Sequence, residues 1–350
     1  ALSAKLAAQR VDAMLVTHLT HVRYLSGFSG SNGALLLHKD LEAQIATDGR
    51  YLTQIAAEVP DIEALDARAV GPDLLATVTG PKRVGFEADF VSVSQLQRLE
   101  KAAGEDVTLV PISGVIEDIR LVKEPYELER LREVAVIANT AFQELIDENL
   151  IRAGRTETEV AADLEYKMRL HGAERTSFET IVASGPNSAM PHHEPGARVL
   201  EEGDIVTVDF GAHAAGYNSD TTRTVVISDA DEFATEIYNI VLKAQLAGVA
   251  AAIPGAKLSD VDKACRDIIT DAGYGEYFVH STGHGVGLDL HEAPYAATSG
   301  QGELVQGMTL TVEPGIYVPG KGGVRIEDTL IITAGQPENL THLVKDLTIV

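Results

Sequence analysis

Three carboxylates interrupt segments of the sequence that are otherwise apolar and strand-like. Asp209 ends the run "IVTVDFG", Glu313 interrupts "TLTVEPGIYV", and Glu327 interrupts "VRIEDTLIIT". A charged residue inside a buried strand is costly unless it is paired, hydrogen-bonded or bound to a metal ion. One such acid is usually a satisfied structural contact, but several in one chain are hard to explain in that way.

A fourth acid belongs with them. Asp209 and Asp220 flank "FGAHAAGYNS", in which Gly211 and Gly216 favour a strand, a turn and a returning strand. This geometry lets the two carboxylates converge across neighbouring strands. His213 falls in the turn itself, and we expect it to face solvent.

The stretch "HSTGHGVGLDLHEAP" (280–294) contains His280, His284 and His291 among alternating glycines. The spacing of the first two histidines would place two zinc ligands on one helix face. However, each glycine costs a helix about 1 kcal/mol relative to alanine. The stretch therefore predicts extended backbone and bends that pass close to a ligand.

Four carboxylates and one imidazole would carry a combined charge of about −4, which balances two divalent cations. Such an oxygen-rich donor set suits manganese, cobalt or zinc better than copper or an iron–sulfur cluster. A two-metal site activates a water molecule and stabilises a developing oxyanion. The residues thus predict metal-dependent hydrolysis, while the substrate and the ligating imidazole stay open.

The sequence predicts two domains. Short apolar runs alternate with helical spacing in residues 1–122, which indicates an α/β domain. In residues 123–350 we expect helices from Pro125, from Thr156 with a capping box to Glu159, over 231–252, and from Ser259 with an acid three positions on at Asp262. Strands are expected over 204–212, 216–227, 308–318 and 322–333.

Charge and composition exclude some classes of partner. The chain has 350 residues with 52 acidic against 28 basic side chains, a net charge of −24. Nucleic acids and anionic membranes both need clustered Lys and Arg, so neither is expected as a partner. No apolar run approaches the roughly 18 residues of a membrane helix. Cys265 is the only cysteine, which favours a reducing compartment, and we expect a cytoplasmic protein.

The motifs "VDFGA…YNSDTTRT", "HSTGHGVGLDLHEAP", "TVEPGIY" and "GVRIEDT", in this order, resemble the metallopeptidase family of methionine aminopeptidase, aminopeptidase P and prolidase. The segments "FETIVASGPNSAMPHHEP", "VRYLSGFSGSNGALLL" and "TDGRY" resemble its Xaa-Pro branch specifically. The resemblance covers nearly the whole chain. It implies an α/β N-terminal domain of creatinase type, followed by an α+β pita-bread catalytic domain.

The resemblance also implies roles for individual residues. The residues that match the metal ligands of the family are Asp209, Asp220, His284, Glu313 and Glu327. His280 and His291 match substrate-side histidines, and His192 matches a histidine that contacts the tetrahedral intermediate. We expect Glu313 to transfer the proton of the attacking water, with His192 and His291 stabilising the oxyanion. His193, next to His192, is expected to be an exposed loop residue.

Two arginines are candidates for substrate binding. Arg325 lies two residues from Glu327, so within a strand it would point to the same face. It could orient a metal ligand, bind the substrate's carboxylate, or form a plain ion pair. Arg50, in "TDGRY", could clamp the same carboxylate, or it could pair locally with Asp48.

The function implied is a dinuclear Xaa-Pro dipeptidase (prolidase), with manganese preferred over cobalt or zinc. An aminopeptidase P acting on longer peptides is the alternative. A creatinase-like amidinohydrolase needs no metal, and a metal-free binding domain has no use for five ligands that repel one another. The intact set of ligands disfavours both. The family further suggests a homodimer.

Overall fold

The computed structural model describes residues 2–40 and 42–350. These residues divide into two compact units, one ending at Arg120 and the other beginning at Leu121. No helix among the described residues is both long and apolar enough to span a membrane.

The first unit is a mixed six-stranded sheet with helices, in the strand order β4-β3-β2-β1-β5-β6. The pairs β1–β2 and β2–β3 are antiparallel and the other three pairs are parallel. The strands are Ala13–Val16 (β1), Ala34–His38 (β2), Ala43–Thr47 (β3), Glu63–Asp66 (β4), Lys82–Glu87 (β5) and Val107–Ile112 (β6). The helices are Leu2–Ala8 (α1), Leu19–Ser26 (α2), Leu52–Glu58 (α3), Val70–Ala76 (α4), Val93–Ala102 (α5) and Glu117–Arg120 (α6).

Both faces of this sheet are buried, which is why its central strands are continuous apolar runs. Successive side chains of a strand point to opposite faces. Val16 and Leu35 belong to one apolar cluster, whereas their neighbours Leu15 and Leu36 belong to a second cluster on the other face. The prediction of an α/β first domain is confirmed.

The second unit contains long helices and several small sheets. Its helices are Pro125–Asp147 (α7), Glu157–Leu170 (α8), Glu232–Ala251 (α9) and Leu258–Asp271 (α10), and 3-10 helices cover Gly185–Ala189 and Gly275–Tyr277. Its strands are Arg175–Thr176 (β7), Ile181–Ser184 (β8), Ile205–Phe210 (β9), Ala212–Ala214 (β10), Tyr217–Asn218 (β11), Thr221–Val226 (β12), Gly283–Gly285 (β13), Glu292–Ala296 (β14), Thr309–Val312 (β15), Gly315–Val318 (β16), Gly322–Arg325 (β17), Asp328–Ile331 (β18), Glu338–Asn339 (β19) and Thr348–Ile349 (β20).

The helices begin close to where their sequence signals place them. Thr156 accepts a hydrogen bond from the backbone N–H of Glu159, whose carboxylate accepts one from the backbone N–H of Thr156, so α8 begins with the predicted capping box. Asp231 caps α9 by accepting from the N–H of Ala234 at 2.7 Å. The predicted start of α10 is wrong by one residue, and Asp262 is no cap. Its buried carboxylate accepts instead from Arg266 and from Thr282.

Two apolar clusters fill the second unit, one beneath each pair of helices. The first cluster includes residues of α7 and α8, and the second includes residues of α9 and α10. Strands β20-β12-β9-β8 form the largest sheet of this unit among the described residues. The antiparallel pair β15–β18 and the antiparallel pair β16–β17 lie further along the chain. This arrangement confirms the α+β class.

Two strands that the sequence predicts as continuous are each broken in the middle. The segment 308–318 divides into β15 and β16 around Glu313 and Pro314, and 322–333 divides into β17 and β18 around Ile326 and Glu327. Proline lacks an N–H group and cannot donate to a strand ladder, which accounts for the first break. Each break frees a carboxylate from the ladder.

The expectation that His213 faces solvent is wrong. The residue lies in β10 and is 4 % exposed. Its Nδ1 lies 2.9 Å from Oδ1 of Asn218, and its Nε2 lies 3.2 Å from Nη2 of Arg175. The hairpin turn is tighter than the sequence suggested, so the imidazole is folded into the sheet.

Candidate metal centre and active site

A cavity of about 1030 Å³ opens in the second unit. Seven carboxylates and several histidines border it, and four of the carboxylates are the acids that the sequence singles out. The predicted site residues in its lining are His192, Asp209, Asp220, His280, His284, His291, Glu313, Arg325 and Glu327. Residues that are up to 135 positions apart in the sequence are thus brought to one place.

Strand pairing accounts for the convergence of the acids. Thr222 of β12 lies opposite Asp209 of β9, and Asp220 immediately precedes β12. The backbone N–H of Glu327 bonds to the carbonyl of Thr222 at 3.1 Å, which ties the break between β17 and β18 to β12. Oxygen atoms of Asp209, Asp220 and Glu327 lie within 4.8 Å of one another.

His284 joins this cluster from β13. Its Nε2 lies 3.3 Å from Oε1 of Glu313 and 3.5 Å from Oδ2 of Asp220. Its Nδ1 lies 3.0 Å from the carbonyl oxygen of Gly285, which can only accept, so Nδ1 carries a hydrogen. When Nε2 loses its proton, its lone pair points toward the acids, the arrangement typical of a metal-ligating histidine.

The electrostatics of the cluster favour a positive charge at its centre. Burial, followed by repulsion from other carboxylates, raises the pKa values of Asp220 and Glu327 well above their ordinary range. Burial lowers the pKa of His284, but the hydrogen bond and charge of Glu313 and the charge of Asp220 outweigh it and raise the pKa to about 9. Burial raises the pKa of Glu313, yet His284, His280 and Arg325 outweigh it and lower the pKa to about 2.

The donors fit divalent cations. Oδ1 of Asp209 is buried without a hydrogen-bond partner in the described structure, which leaves a carboxylate oxygen available as a ligand. Buried carboxylates that repel one another are stabilised when they share a cation. Oxygen donors with a single imidazole suit hard or borderline divalent ions.

Arg325 connects the cluster to its surroundings. Its Nη2 donates to Oδ2 of Asp209 at 2.7 Å, its Nη1 donates to the hydroxyl of Tyr317 at 2.8 Å, and its Nε donates to Oγ1 of Thr222 at 3.1 Å. Oγ1 of Thr222 in turn donates to Oε2 of Glu327 at 2.7 Å. The guanidinium is buried, with 3 % of the side chain exposed. Its hydrogen bonds orient two acids of the cluster, Asp209 directly and Glu327 through Thr222. Its predicted contact with a substrate carboxylate stays a prediction.

His280 continues this network toward the cavity. Its Nδ1 donates to the carbonyl of Ser281 at 2.8 Å, and its Nε2 lies 2.8 Å from the hydroxyl of Tyr317. Because Nδ1 carries the only hydrogen of the neutral ring, Nε2 of His280 accepts, and the tyrosine donates its own proton to it. Burial lowers the pKa of His280 and raises that of Tyr317 to about 12, which keeps both groups neutral.

The remaining predicted histidines border the cavity from two loops. The ring of His291 lies 4.3 Å from the ring of His284, in a T-shaped arrangement. His192 and His193 both contribute to the lining. The expectation that His193 is an exposed loop residue is wrong, because its side chain is 15 % exposed and its Nε2 lies 2.8 Å from Oε2 of the buried Glu157.

Arg50 belongs to the first unit and forms the local pair that the sequence left open. Its Nε and Nη2 donate to the two carboxylate oxygens of Asp48, each at 2.8 Å, and its side chain is 69 % exposed. Asp48 also accepts a hydrogen bond from Nδ2 of Asn32. The predicted contact of Arg50 with the substrate stays a prediction.

Sequence reasoning missed three residues that organise the site, namely Glu157, Thr222 and Tyr317, and it also missed the buried ion pair of Lys123. Tyr317 alternates with the apolar residues Ile316 and Val318 in its strand, which is a usable signal, whereas Thr222 lies between Thr221 and Arg223 and gives none. Glu157 follows a helix cap and resembles an ordinary residue of a first turn. Nothing near Lys123 indicates its ion pair with Glu292, which is 169 residues away.

Comparisons with known proteins agree with this geometry. Residues 129–334 match the profile of metallopeptidase family M24, and residues 1–122 match the creatinase/prolidase N-terminal domain. The chain belongs to metallopeptidase family M24, and is therefore a metal-dependent peptidase whose family implies divalent metal ions.

Individual relatives span the whole chain. An Xaa-Pro dipeptidase of Pyrococcus horikoshii is 37 % identical over 340 residues, which cover 96 % of this chain and 94 % of the relative. The structure of an Xaa-Pro dipeptidase from Bacillus anthracis superimposes with a TM-score of 0.94 at 41 % identity, covering 100 % of this chain and 98 % of the other. An X-Pro aminopeptidase from Thermotoga maritima gives a TM-score of 0.90 at 35 % identity, covering 100 % and 98 %. The predicted creatinase-type and pita-bread architecture is confirmed.

Proposed function

We propose that the chain is an Xaa-Pro dipeptidase that cleaves the bond before a C-terminal proline with two divalent metal ions. Manganese is the first candidate, and cobalt and zinc are the alternatives. The observation that carries the proposal is the convergence of four acids and His284 in one cavity bordered by His192, His280 and His291. The dipeptidases among its relatives support the substrate class.

The ions would be held by the five residues that the family resemblance implies: Asp209, Asp220, His284, Glu313 and Glu327. When bound, they supply Lewis-acid polarisation of the scissile carbonyl and a water molecule of lowered pKa. Arg325 and Thr222 orient two of the five ligands by hydrogen bonds, because Arg325 donates to Asp209 and Thr222 donates to Glu327. The remaining chemistry belongs to the side chains around the centre.

Glu313 transfers the proton. The Xaa-Pro bond is a tertiary amide, so its nitrogen carries no hydrogen and must be protonated before it leaves. Glu313 is the most exposed of the three ion-paired acids of the cluster, at 17 % compared with 13 % for Asp209 and 7 % for Asp220. Its carboxylate accepts the proton of the attacking water and delivers it to the proline nitrogen.

His192 and His291 stabilise the oxyanion that develops on the scissile carbonyl. Burial, followed by the charge of His284, lowers the pKa of His291, so its imidazole is neutral and donates from one nitrogen. Preorganised donors of this kind each contribute about 10²- to 10³-fold to kcat in other hydrolases. His280, held by Tyr317, also borders the cavity.

An Xaa-Pro aminopeptidase is the second candidate. Among the described residues that line the cavity there is no lysine, and the only arginine, Arg325, is buried and bonded to Asp209. A dipeptidase needs a cation for the free carboxylate one residue beyond the scissile bond, whereas an aminopeptidase must leave that space open. The similarity to the enzyme of Thermotoga maritima is compatible with this alternative.

Substrate length distinguishes the two candidates. The protein is stripped with a chelator and reloaded separately with Mn²⁺, Co²⁺ and Zn²⁺, and kcat/KM is measured for an Xaa-Pro dipeptide and for the matching Xaa-Pro-Yaa tripeptide. We expect the Mn²⁺ form to prefer the dipeptide. Preference for the tripeptide would favour the aminopeptidase, and inactivity of all fully loaded forms on both peptides would overturn the proposal.

We further infer a homodimer in the cytoplasm. The family resemblance supports the dimer, and the single cysteine, Cys265, which is buried, suits a reducing compartment. Analytical ultracentrifugation tests the dimer, because a monomer at micromolar concentration would contradict it.

A further inference from the structure

The histidine that we place at the oxyanion, His192, lies in an irregular segment. Strand β8 ends at Ser184, a 3-10 helix covers Gly185–Ala189, and β9 does not begin until Ile205. In the described structure, the backbone of this loop makes no ladder hydrogen bonds near His192 and forms only a local turn, in which the N–H of His193 donates to the carbonyl of Met190 at 3.3 Å. Side-chain contacts from another part of the unit are therefore needed to hold the loop in place.

Glu157, the first residue of α8, is the group that holds this loop. Its side chain is fully buried and its two oxygens accept five hydrogen bonds. Oε1 accepts from the backbone N–H of Ser184 at 2.8 Å, from its hydroxyl at 2.7 Å and from Nδ2 of Asn187 at 3.0 Å. Oε2 bonds with Nε2 of His193 at 2.8 Å and accepts from the backbone N–H of Gly196 at 3.1 Å.

These donors lie on both sides of His192 along the chain. Ser184 and Asn187 precede it, and His193 and Gly196 follow it. Burial raises the pKa of Glu157, but the hydrogen bonds from His193, Ser184 and Asn187 outweigh it and lower the pKa, so the carboxylate is ionised. Hydrogen bonds to an ionised acceptor are about twice as strong as those between neutral groups. The donor closest in sequence to His192 is its neighbour His193.

We propose that His193 is a positioning residue, which fixes the imidazole of His192 against the cavity through its hydrogen bond to Glu157. The inference rests on the proposed function, in which His192 donates to the oxyanion. Because Glu157 only accepts, Nε2 of His193 carries a hydrogen and is engaged, although its ring borders the cavity. A displacement of about 1 Å at a catalytic group can cost about 10²-fold in rate, so loss of this one bond has a measurable effect.

Two substitutions separate the hydrogen bond from the volume of the ring. His193→Ala removes the donor, whereas His193→Gln retains an amide N–H that can reach Glu157. His171→Ala is the matched control, since His171 ends the same helix and also bonds a glutamate, Glu144, at 2.9 Å. Each of the three substitutions is made both with His192 present and in a His192→Ala background. The values of kcat and KM for an Ala-Pro dipeptide and the amount of bound metal are then measured on the Mn²⁺-loaded protein.

His193→Ala should lower kcat about 10-fold or more with KM and metal content unchanged, and His193→Gln should restore most of the loss. In the His192→Ala background the same change should cost less than about twofold, because the residue through which it acts is gone. An equal loss in both backgrounds, a loss of bound metal, or no loss at all would overturn the proposal.

A second measurement does not depend on turnover. In ¹⁵N-histidine NMR spectra, the resonances of His192 are assigned by their absence from His192→Ala. We expect a single ring state in the wild type, broadening or doubling in His193→Ala, and recovery in His193→Gln. An unchanged His192 resonance in His193→Ala would overturn the proposal. If the wild type failed to cleave Xaa-Pro peptides, the proposed function would fall while this measurement would still decide whether His193 orders His192.

Discussion

Oδ2 of Asp209 accepts a hydrogen bond from Nη2 of Arg325 at 2.7 Å, and both side chains are largely shielded from solvent, at 13 % and 3 % exposure. The other guanidinium nitrogens contact Tyr317 and Thr222. One planar cation therefore links an acid of the cluster to the side chain that contacts His280. Because these charged groups are buried together, the loss of any one contact should disturb the whole cluster.

Arg325→Lys should weaken metal binding while the protein still folds. An ammonium is a point charge on a flexible chain and cannot contact Asp209, Tyr317 and Thr222 at once. Loss of such an outer contact typically costs about 10- to 100-fold in metal affinity. Calorimetric titration with Mn²⁺ measures it. Arg130→Lys is the control, because Arg130 is exposed and pairs only with Glu133 among the contacts described. An unchanged Kd in Arg325→Lys would contradict the prediction.

Asp220→Ala and Glu327→Ala should each abolish hydrolysis without unfolding the protein. Both acids have pKa values raised by burial and by neighbouring carboxylates, so their removal relieves repulsion in the metal-free protein. We expect each metal-free variant to have a Tm equal to or higher than that of the metal-free wild type. We also expect the rise in Tm that Mn²⁺ causes in the wild type to disappear in both variants. Asp229→Ala, which replaces an exposed acid, is the control and should keep both the activity and the rise in Tm on adding Mn²⁺. Near-normal activity with full metal content in either site variant would exclude these ligands.

The carboxylates were predictable because charge in an apolar strand is a strong local signal. Asp209, Glu313 and Glu327 each stand out by this signal alone, without any family resemblance. The same reasoning treated 308–318 and 322–333 as continuous strands, whereas both break at the acids. Arg325 and Glu327 therefore do not share a strand face, although both reach the cluster.

Long-range partners were not predictable in this way. Glu157, which holds the loop of His192, follows an ordinary helix cap, and its five donors are separated from it by up to 39 residues. His213 was expected in solvent because its turn is rich in glycine and alanine, yet it bonds Asn218 within the sheet. Contacts of this kind depend on tertiary packing, which periodicity and local propensity do not encode.

His291→Ala should keep the metal and lower kcat by about 10²-fold or more, as for the loss of one oxyanion donor. The variant is a sharp test, because atoms of His291, Asp220 and His284 lie within 4.8 Å of one another and could together hold an ion. Metal analysis alongside kinetics separates the two roles. If the metal content fell, His291 would be a ligand. His342→Ala, at an exposed histidine, is the control.

Lys123→Met should destabilise the second unit by about 3–5 kcal/mol, the usual cost of leaving one partner of a buried ion pair alone. Nζ of Lys123 lies 2.5 Å from Oε1 of Glu292, with side chains 1 % and 11 % exposed. Urea unfolding of the metal-free protein measures the change. Replacing Glu292 by Gln as well should recover part of it. Lys263→Met breaks an exposed pair with Asp267 and should leave the unfolding midpoint unchanged. Equal effects of the two lysine variants would contradict the prediction.

Chain-length specificity depends on where the free carboxylate of a dipeptide is bound. Arg325 is already engaged by Asp209, which leaves the predicted role of Arg50 as the alternative. The pair of Arg50 with Asp48 is bidentate but exposed, and exposed ion pairs contribute little to stability. The loss of this pair should therefore cost the first unit little stability, and a contact of Arg50 with substrate stays a prediction.

Arg50→Ala should raise KM for Xaa-Pro dipeptides about 10- to 150-fold, the share of one charge-assisted hydrogen bond. Hydrolysis of C-terminally amidated dipeptides and of tripeptides should barely change, because neither presents a carboxylate at that position. Arg68→Ala, at another exposed arginine of the first unit, is the control. Equal losses on free and amidated dipeptides would mean that Arg50 acts only through its pair with Asp48. A wild-type preference for tripeptides would instead make this protein an Xaa-Pro aminopeptidase.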